Sequence, residues 1–234
     1  MKTAVIVGAG KGMGNNIAEK FAQNDFRVIL IARNQNALNE YVEEFKTKGY
    51  EASSKQADAS DMDSLSKAFD EISEEYKNID VLIYNAAFMQ GGNASKLTPD
   101  EMIEHFKTDV VGAQLSTIKV LPKMKEQKEG CILFTGGLFG VYPNAYHEFA
   151  CMSMDKAALR QLAQMLNEEL KDDNIHVGIV NIMGNVGETE KFAPENIAEA
   201  YWKMYEEKEN FETNYEEGSE KFNFKQESNT NIKY

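Results

Sequence analysis

Val7-Gly8-Ala9-Gly10-Lys11-Gly12-Met13-Gly14 is the stretch that decides the fold. Ahead of it, residues 4–7 form a short apolar run of the kind that makes a buried strand. Behind it, Ile17, Ala18, Phe21 and Ala22 recur at the spacing of one helix face. Glycines at such a strand–helix junction let the backbone approach a phosphate closely. They also leave the N–H groups at the helix start free to bind it. The strand–turn–helix context separates this cluster from an ordinary glycine turn. Gly8, Lys11, Gly12, Met13 and Gly14 are therefore the first candidate binding residues.

The alternation continues outward. Residues 27–32 predict a second strand, 36–48 a helix with Leu38, Tyr41, Val42 and Phe45 on one face, and 51–56 a third strand. Residues 61–76 predict a helix opening on acidic side chains, as the helix dipole favours. A strand at 81–84, one long helix at 99–125, a strand at 131–134, a helix at 148–170 and a strand at 177–182 follow. Strands alternating with helices of this length form a parallel sheet covered on both faces. The expected fold is a Rossmann-like, doubly wound α/β sheet in one domain, with its ligand at the carboxyl ends of the strands. That domain is expected over residues 1–205. Residues 206–234 form an acidic tail, partly packed, with a last strand near 211–215.

Composition narrows the function. The 234 residues are 42% hydrophobic and 27% charged, a globular balance long enough to bury one core. Lys and Arg number 25 against 38 Asp and Glu, a net charge of −13. Such a surface repels phosphate backbones, so no nucleic-acid partner is expected. No apolar run approaches the ~18 residues of a membrane helix. The amino terminus meets the glycine cluster too soon to be a signal peptide. Two cysteines, Cys131 and Cys151, are too few for a disulfide framework, so a reduced, cytoplasmic setting is expected.

The spacing Gly-x3-Gly-x-Gly from Gly8 through Gly12 to Gly14 resembles that of the short-chain dehydrogenase/reductase family. The resemblance runs from residue 1 to about residue 200. It is carried further by Asp58 in Ala57-Asp58-Ala59-Ser60 and by Asn85-Ala86-Ala87 in place of the family's Asn-Asn-Ala-Gly. Lys156-Ala157-Ala158-Leu159 matches the turn that holds the family's lysine. The resemblance implies that Asp58 bonds the adenine, that Asn85 and Ala86 support the sheet end beside the adenosine ribose, and that Lys156 bonds the nicotinamide ribose. It also implies a small-molecule substrate. Pairing of the long helix and the lysine helix between subunits would give a homodimer or homotetramer.

Cofactor choice is read at the end of the second strand, Leu30-Ile31-Ala32-Arg33-Asn34. A carboxylate there would bind a ribose 2′-hydroxyl and reject a 2′-phosphate. None is present. Arg33 offers a planar fork suited to phosphate, and Lys11 adds positive charge in the glycine loop. NADP(H) is expected ahead of NAD(H).

The catalytic positions depart from the family. Its proton-donating Tyr, four residues before the Lys, is Met152 here. Its Ser falls at Gly137, and its relay Asn aligns with Asp109. The enoyl-reductase spacing, seven residues before the Lys, gives Phe149. The chain resembles an atypical subgroup that lacks the Tyr but keeps the Lys. That subgroup carries a Phe-Thr-Gly strand end, here Phe134-Thr135-Gly136, and a late Ile-Ala-Glu-x-Tyr-Trp helix, here Ile197 to Trp202. A carbonyl reduced by hydride still needs an acid at the developing alkoxide. Tyr146 and His147, in the loop before the Lys156 helix, are the candidates. Ser153 and Asp155 are expected to face away from Lys156. Few residues separate the sixth strand from Pro194, so the family's substrate-covering lid is nearly absent and the site is expected to be open. Two readings stand: an NADP(H)-dependent oxidoreductase with a displaced proton donor, and a cofactor-binding sensor or assembly subunit without turnover.

Overall fold

The computed structural model describes residues 1–142 and 147–217. Its elements are β1 (Lys2–Val7), α1 (Met13–Ala22), β2 (Phe26–Ala32), α2 (Gln35–Thr47), β3 (Ala52–Gln56), α3 (Met62–Glu75) and β4 (Val81–Tyr84). There follow α4 (Pro99–Phe106), a π turn (Lys107–Val111), α5 (Gly112–Gln127), β5 (Gly130–Gly137), the short α6 (Leu138–Val141) and α7 (Ala150–Leu170). A 3-10 turn at Lys171–Asp173, β6 (Ile175–Ile182), α8 (Pro194–Glu207) and β7 (Glu212–Tyr215) complete the order.

The strands form one sheet in the order β3-β2-β1-β4-β5-β6-β7, every neighbouring pair parallel. This is the expected doubly wound fold. Parallel strands need crossovers, and the crossovers put helices on both faces. Both faces of each central strand are consequently buried. Val5, Val7, Leu82, Tyr84, Ile132 and Phe134 point into one core half. Ala4, Ile6, Val81, Ile83 and Leu133 point into the other. Strand order reverses between β1 and β4, which opens a crevice above their carboxyl ends.

One expected element needs correction. The helix expected without interruption over 99–125 is broken by the π turn at Lys107–Val111. The Tyr84 side chain is fully buried beneath it, and its hydroxyl donates to the Thr108 carbonyl oxygen. That bond draws one carbonyl out of the regular ladder, and a wide turn accommodates it. A strong cap starts α4. Thr98 and Glu101 form a reciprocal capping box, with Pro99 in the first turn. After β6 the chain folds back at once, and Phe192 seats its ring on Gly184. A Cβ on Gly184 would come within 2.4 Å of that ring. Among the described residues, no helix is long and apolar enough to cross a membrane.

Candidate functional site

The crevice has two halves. The first is built from backbone. Gly8 sits at φ +89°, where side-chain-bearing residues are strained, and a Cβ there would come within 2.5 Å of the Ala86 nitrogen. A Cβ on Gly14 would lie 2.3 Å from the Gly8 carbonyl oxygen. These two glycines pack β1, β4 and α1 against each other. Gly10 and Gly12 are different: a Cβ on either meets nothing within 4 Å, so the loop faces open space. Gly12 is the N-cap of α1, without a side-chain cap and without an acid in the first turn. The Asn15 N–H donates to the Gly10 carbonyl oxygen at 2.9 Å, which leaves the Met13 and Gly14 amides at the start of α1 for an external acceptor, and an anion fits that position.

Around this loop stand the other expected binding residues. Asp58 lies just past β3, its Oδ1 accepting from the Ser60 backbone N–H at 2.9 Å and from the Ser60 hydroxyl at 2.8 Å. Arg33 follows β2 with an exposed side chain, its carbonyl oxygen held by the Gln56 amide at 2.8 Å. Lys11 is exposed in the glycine loop, and Met13 opens α1. Asn85 reaches across the sheet end. Its Nδ2 donates to the Gly8 carbonyl oxygen at 3.0 Å, and its backbone N–H donates to the Val7 carbonyl oxygen at 2.8 Å.

The second half holds the departures. Lys156 is buried on α7, and its ammonium donates to the Thr135 carbonyl oxygen at 3.0 Å. The same nitrogen lies 3.3 Å from Asp109 Oδ1. Asp109 is 1% exposed and sits in the π turn, where its Oδ2 accepts from the Phe88 backbone N–H at 2.7 Å. A buried ion pair thus stands where the resemblance places an amide. Met152, one helical turn before Lys156, is buried as well. Gly137 ends β5 with extended backbone, and a Cβ there meets only the Ile182 carbonyl oxygen, at 3.6 Å. Phe149 stands at the N-cap of α7, its ring 5.2 Å from that of Phe139.

Of the two candidate acids, Tyr146 lies outside the described residues. His147 has an 84% exposed side chain, and its Nδ1 is 3.0 Å from Asn93 Oδ1. Next to it Gly92 bridges Phe149 in parallel, its carbonyl oxygen accepting from the Ala150 N–H at 3.1 Å, which ties the loop after β4 to the start of α7. Ser153 and Asp155 are both buried. Asp155 Oδ2 finds no hydrogen-bond partner among the described residues. Burial, reinforced by the nearby Asp109 charge and opposed by Lys156, pushes the Asp155 carboxyl up to about 7.

Sequence reasoning missed one arrangement. The buried Tyr201 hydroxyl on α8 donates to Thr135 Oγ1 at 2.7 Å. The Thr135 hydroxyl donates in turn to Asn85 Oδ1 at 3.0 Å. The strand-end motif and the late-helix motif therefore meet in space. The only sequence signal was that both are unusual together; their contact spans 66 positions.

Fold and crevice define a Rossmann-like dinucleotide-binding protein. Residues 2–198 match the short chain dehydrogenase family, and the chain belongs to that family of oxidoreductases. It is 28% identical over 212 residues to an uncharacterised oxidoreductase of Staphylococcus epidermidis, covering 85% of this chain and 88% of that one. It is 31% identical over 180 residues to an NADP-dependent 3-hydroxy acid dehydrogenase of Schizosaccharomyces pombe, covering 75% and 68%. Among solved structures, a metagenomic short-chain oxidoreductase in complex with NADP superposes with a TM-score of 0.81 at 27% identity, over 91% of this chain and 95% of that one.

Proposed function

We propose that the protein binds NADP(H) in this crevice and works as a short-chain dehydrogenase-type oxidoreductase on a small molecule, with its proton donor displaced from the family's position. The observation that carries the reading is the open, uncapped glycine loop in line with the buried, anchored Lys156 ammonium. Gly8, Gly12, Met13 and Gly14 would hold the pyrophosphate, and Asp58 and Ala86 would border the adenosine. Asn85 fixes the loop, and Lys156 would bond the nicotinamide ribose. Arg33 and Lys11, both exposed and neither in an ion pair among the described residues, would take the 2′-phosphate. The cofactor supplies a hydride when bound. The proton must come from the loop before α7, from Tyr146 or His147, because Met152, Phe149 and Gly137 carry no acid.

The Lys156–Asp109 pair favours a second reading, a cofactor-binding sensor or assembly subunit without turnover. An ammonium committed to a buried carboxylate has less field left to activate a neighbouring hydroxyl. In either reading the chain would pair with copies of itself through the α4–α5 and α7 faces, where Met102, Ile103, Phe106, Ile118 and Met154 are exposed. The dinucleotide-binding unit would cover residues 1–205, with 206–234 as an acidic tail. The free, buried Cys131 and Cys151 suit a reducing, cytoplasmic setting.

Fluorescence titration with NADPH and NADH tests the cofactor assignment. NADPH is expected to bind more tightly, and Arg33→Ala to erase about 1–2 kcal/mol of that preference, the worth of one charge-assisted contact. Equal affinities in the wild type would sink the phosphate assignment, and binding of neither cofactor would sink the glycine-loop reading.

A further inference from the structure

We infer that Tyr201 is a positioning residue for the dinucleotide site, acting on the glycine loop through a one-way chain of hydrogen bonds that starts in the core. The inference rests on the reading that this loop holds NADP(H).

The chain runs in one direction. Tyr201 Oη donates to Thr135 Oγ1, Thr135 Oγ1 donates to Asn85 Oδ1, and Asn85 Nδ2 donates to the Gly8 carbonyl oxygen, at 2.7, 3.0 and 3.0 Å. The Thr135 hydroxyl both accepts and donates, so the first bond polarises the second. Tyr201 is fully buried and Thr135 is 9% exposed, so water competes poorly for the bond between them. Burial holds the Tyr201 hydroxyl well above its ordinary range, so it keeps its proton and stays available as the donor to Thr135.

The two ends of the chain are mechanically distinct. At one end, Gly8 is the left-handed hinge of the glycine loop, and its carbonyl oxygen packs where a Gly14 Cβ would be. Asn85 holds that carbonyl from one side while the Ala9 N–H of the same peptide donates to the Ile31 carbonyl oxygen at 3.0 Å, so the two bonds together orient the peptide that leads into the loop. At the other end, α8 follows the fold-back after β6, the interval in which this chain lacks a long lid. Thr135 also serves the second half of the crevice, because its carbonyl oxygen accepts from Lys156. Its hydroxyl is thus fixed toward the phosphate side while its carbonyl is fixed toward the ribose side. Tyr201 supplies the donor that sets the hydroxyl's direction. Without it, Thr135 Oγ1 can donate to a different acceptor, and the amide of Asn85 loses its reason to hold one orientation.

Helix α8 carries an internal control. Tyr205, four residues on, also makes a hydroxyl bond outside its helix, accepting from Lys2 Nζ at 2.9 Å. That bond lies at the start of β1, the opposite end from the crevice. Removing either hydroxyl takes one tyrosine bond from α8, but only Tyr201→Phe breaks the chain to Gly8.

The experiment compares the wild type with Tyr201→Phe, Tyr205→Phe, Thr135→Val and Thr135→Ser. NADPH affinity is read by fluorescence, and backbone amide hydrogen exchange is read over residues 7–15 in the protein without cofactor. Tyr201→Phe and Thr135→Val are expected to raise the NADPH dissociation constant about three- to tenfold and to speed exchange in the loop, with Thr135→Ser near wild type. The double variant Tyr201→Phe/Thr135→Val should be no weaker than the weaker single variant, because both cut one chain. Tyr205→Phe should leave affinity and loop exchange unchanged. Should Tyr201→Phe fail to fold, the Val-against-Ser contrast at Thr135 carries the same test. A Tyr201→Phe protein with wild-type affinity and wild-type loop exchange overturns the inference, as does an equal effect from Tyr205→Phe. If the wild type binds no NADPH but Tyr201→Phe still speeds loop exchange, the cofactor reading fails and the positioning role stands.

Discussion

The two halves of the crevice differ in what they are made of. The glycine-loop half is a backbone device, in which Gly8 and Gly14 allow close packing while Gly10 and Gly12 leave space above the loop. The half around Lys156 depends on particular functional groups, and there the chain has Met152, Gly137 and an Asp109–Lys156 pair. A backbone device survives wherever its glycines do. A proton donor is lost by one substitution, and the sheet beneath it does not change. Dinucleotide binding and carbonyl chemistry are therefore separable in this fold, and the fold alone argues for the first more strongly than for the second.

The sharpest way to break the contrast is to give the second half its missing groups. Gly137 has room for a side chain, since a Cβ would sit 3.6 Å from the Ile182 carbonyl oxygen in ordinary contact. Gly136 next to it has none, because a Cβ would fall on Asn181 Oδ1. The pair Gly137→Ser with Met152→Tyr is expected to raise NADPH-dependent reduction of a panel of small ketones and aldehydes by ~10²–10⁴-fold, the usual worth of a positioned acid. A gain of that size would show a crevice competent in all but its acid. No gain, in a protein that already turns over, would place the donor in the loop before α7. No gain and no turnover would favour the sensor reading.

The next test concerns the ion pair. Asp109 is 1% exposed, and its other oxygen is spent on the Phe88 N–H. Removing Lys156 would strand a carboxylate in that position. Lys156→Met is expected to cost about 3–5 kcal/mol in denaturant unfolding, and Lys156→Met/Asp109→Asn distinctly less, because the amide keeps the Phe88 bond without a charge. If the double variant is no more stable than the single one, the two groups are not coupled and Asp109 serves only its backbone partner.

How much of this was readable beforehand follows the same division. The strands and their helices were legible because parallel strands are apolar runs and their crossover helices carry one apolar face. Leu38, Val42 and Phe45 of α2 and Leu65, Phe69 and Ile72 of α3 are cases in point. The glycine loop was legible because its chemistry is local. The π turn was not, because its cause is Tyr84, more than twenty positions away, capturing the Thr108 carbonyl. The Asp109–Lys156 pair and the Tyr201–Thr135–Asn85 chain were hidden for the same reason: each joins elements far apart in sequence through polar atoms that leave no periodic pattern. The burial of Asp155 left no trace in the sequence either: the helix turns it into the groove formed with Met102, Ile103, Phe106 and Cys151.

The smallest expected effect follows from that carboxyl, and it extends the comparison to the groove side of the lysine helix. Asp155 is 3% exposed and has one oxygen without a partner. Burial, then the Asp109 charge, raise its pKa to about 7 against the opposing pull of Lys156. The folded protein therefore keeps a proton that the unfolded chain releases near pH 4. Its contribution is most favourable below that unfolded value, declines as pH rises toward 7, and is flat above. Asp155→Asn removes the titration and keeps the shape. Relative to wild type, the variant should gain about 1–3 kcal/mol between pH 5 and pH 8, read as a melting-temperature difference that widens with pH and levels off beyond 7. A difference independent of pH would mean that Asp155 is charged throughout and paired, and a difference that shrinks with pH would mean that a cation, rather than burial, sets its environment.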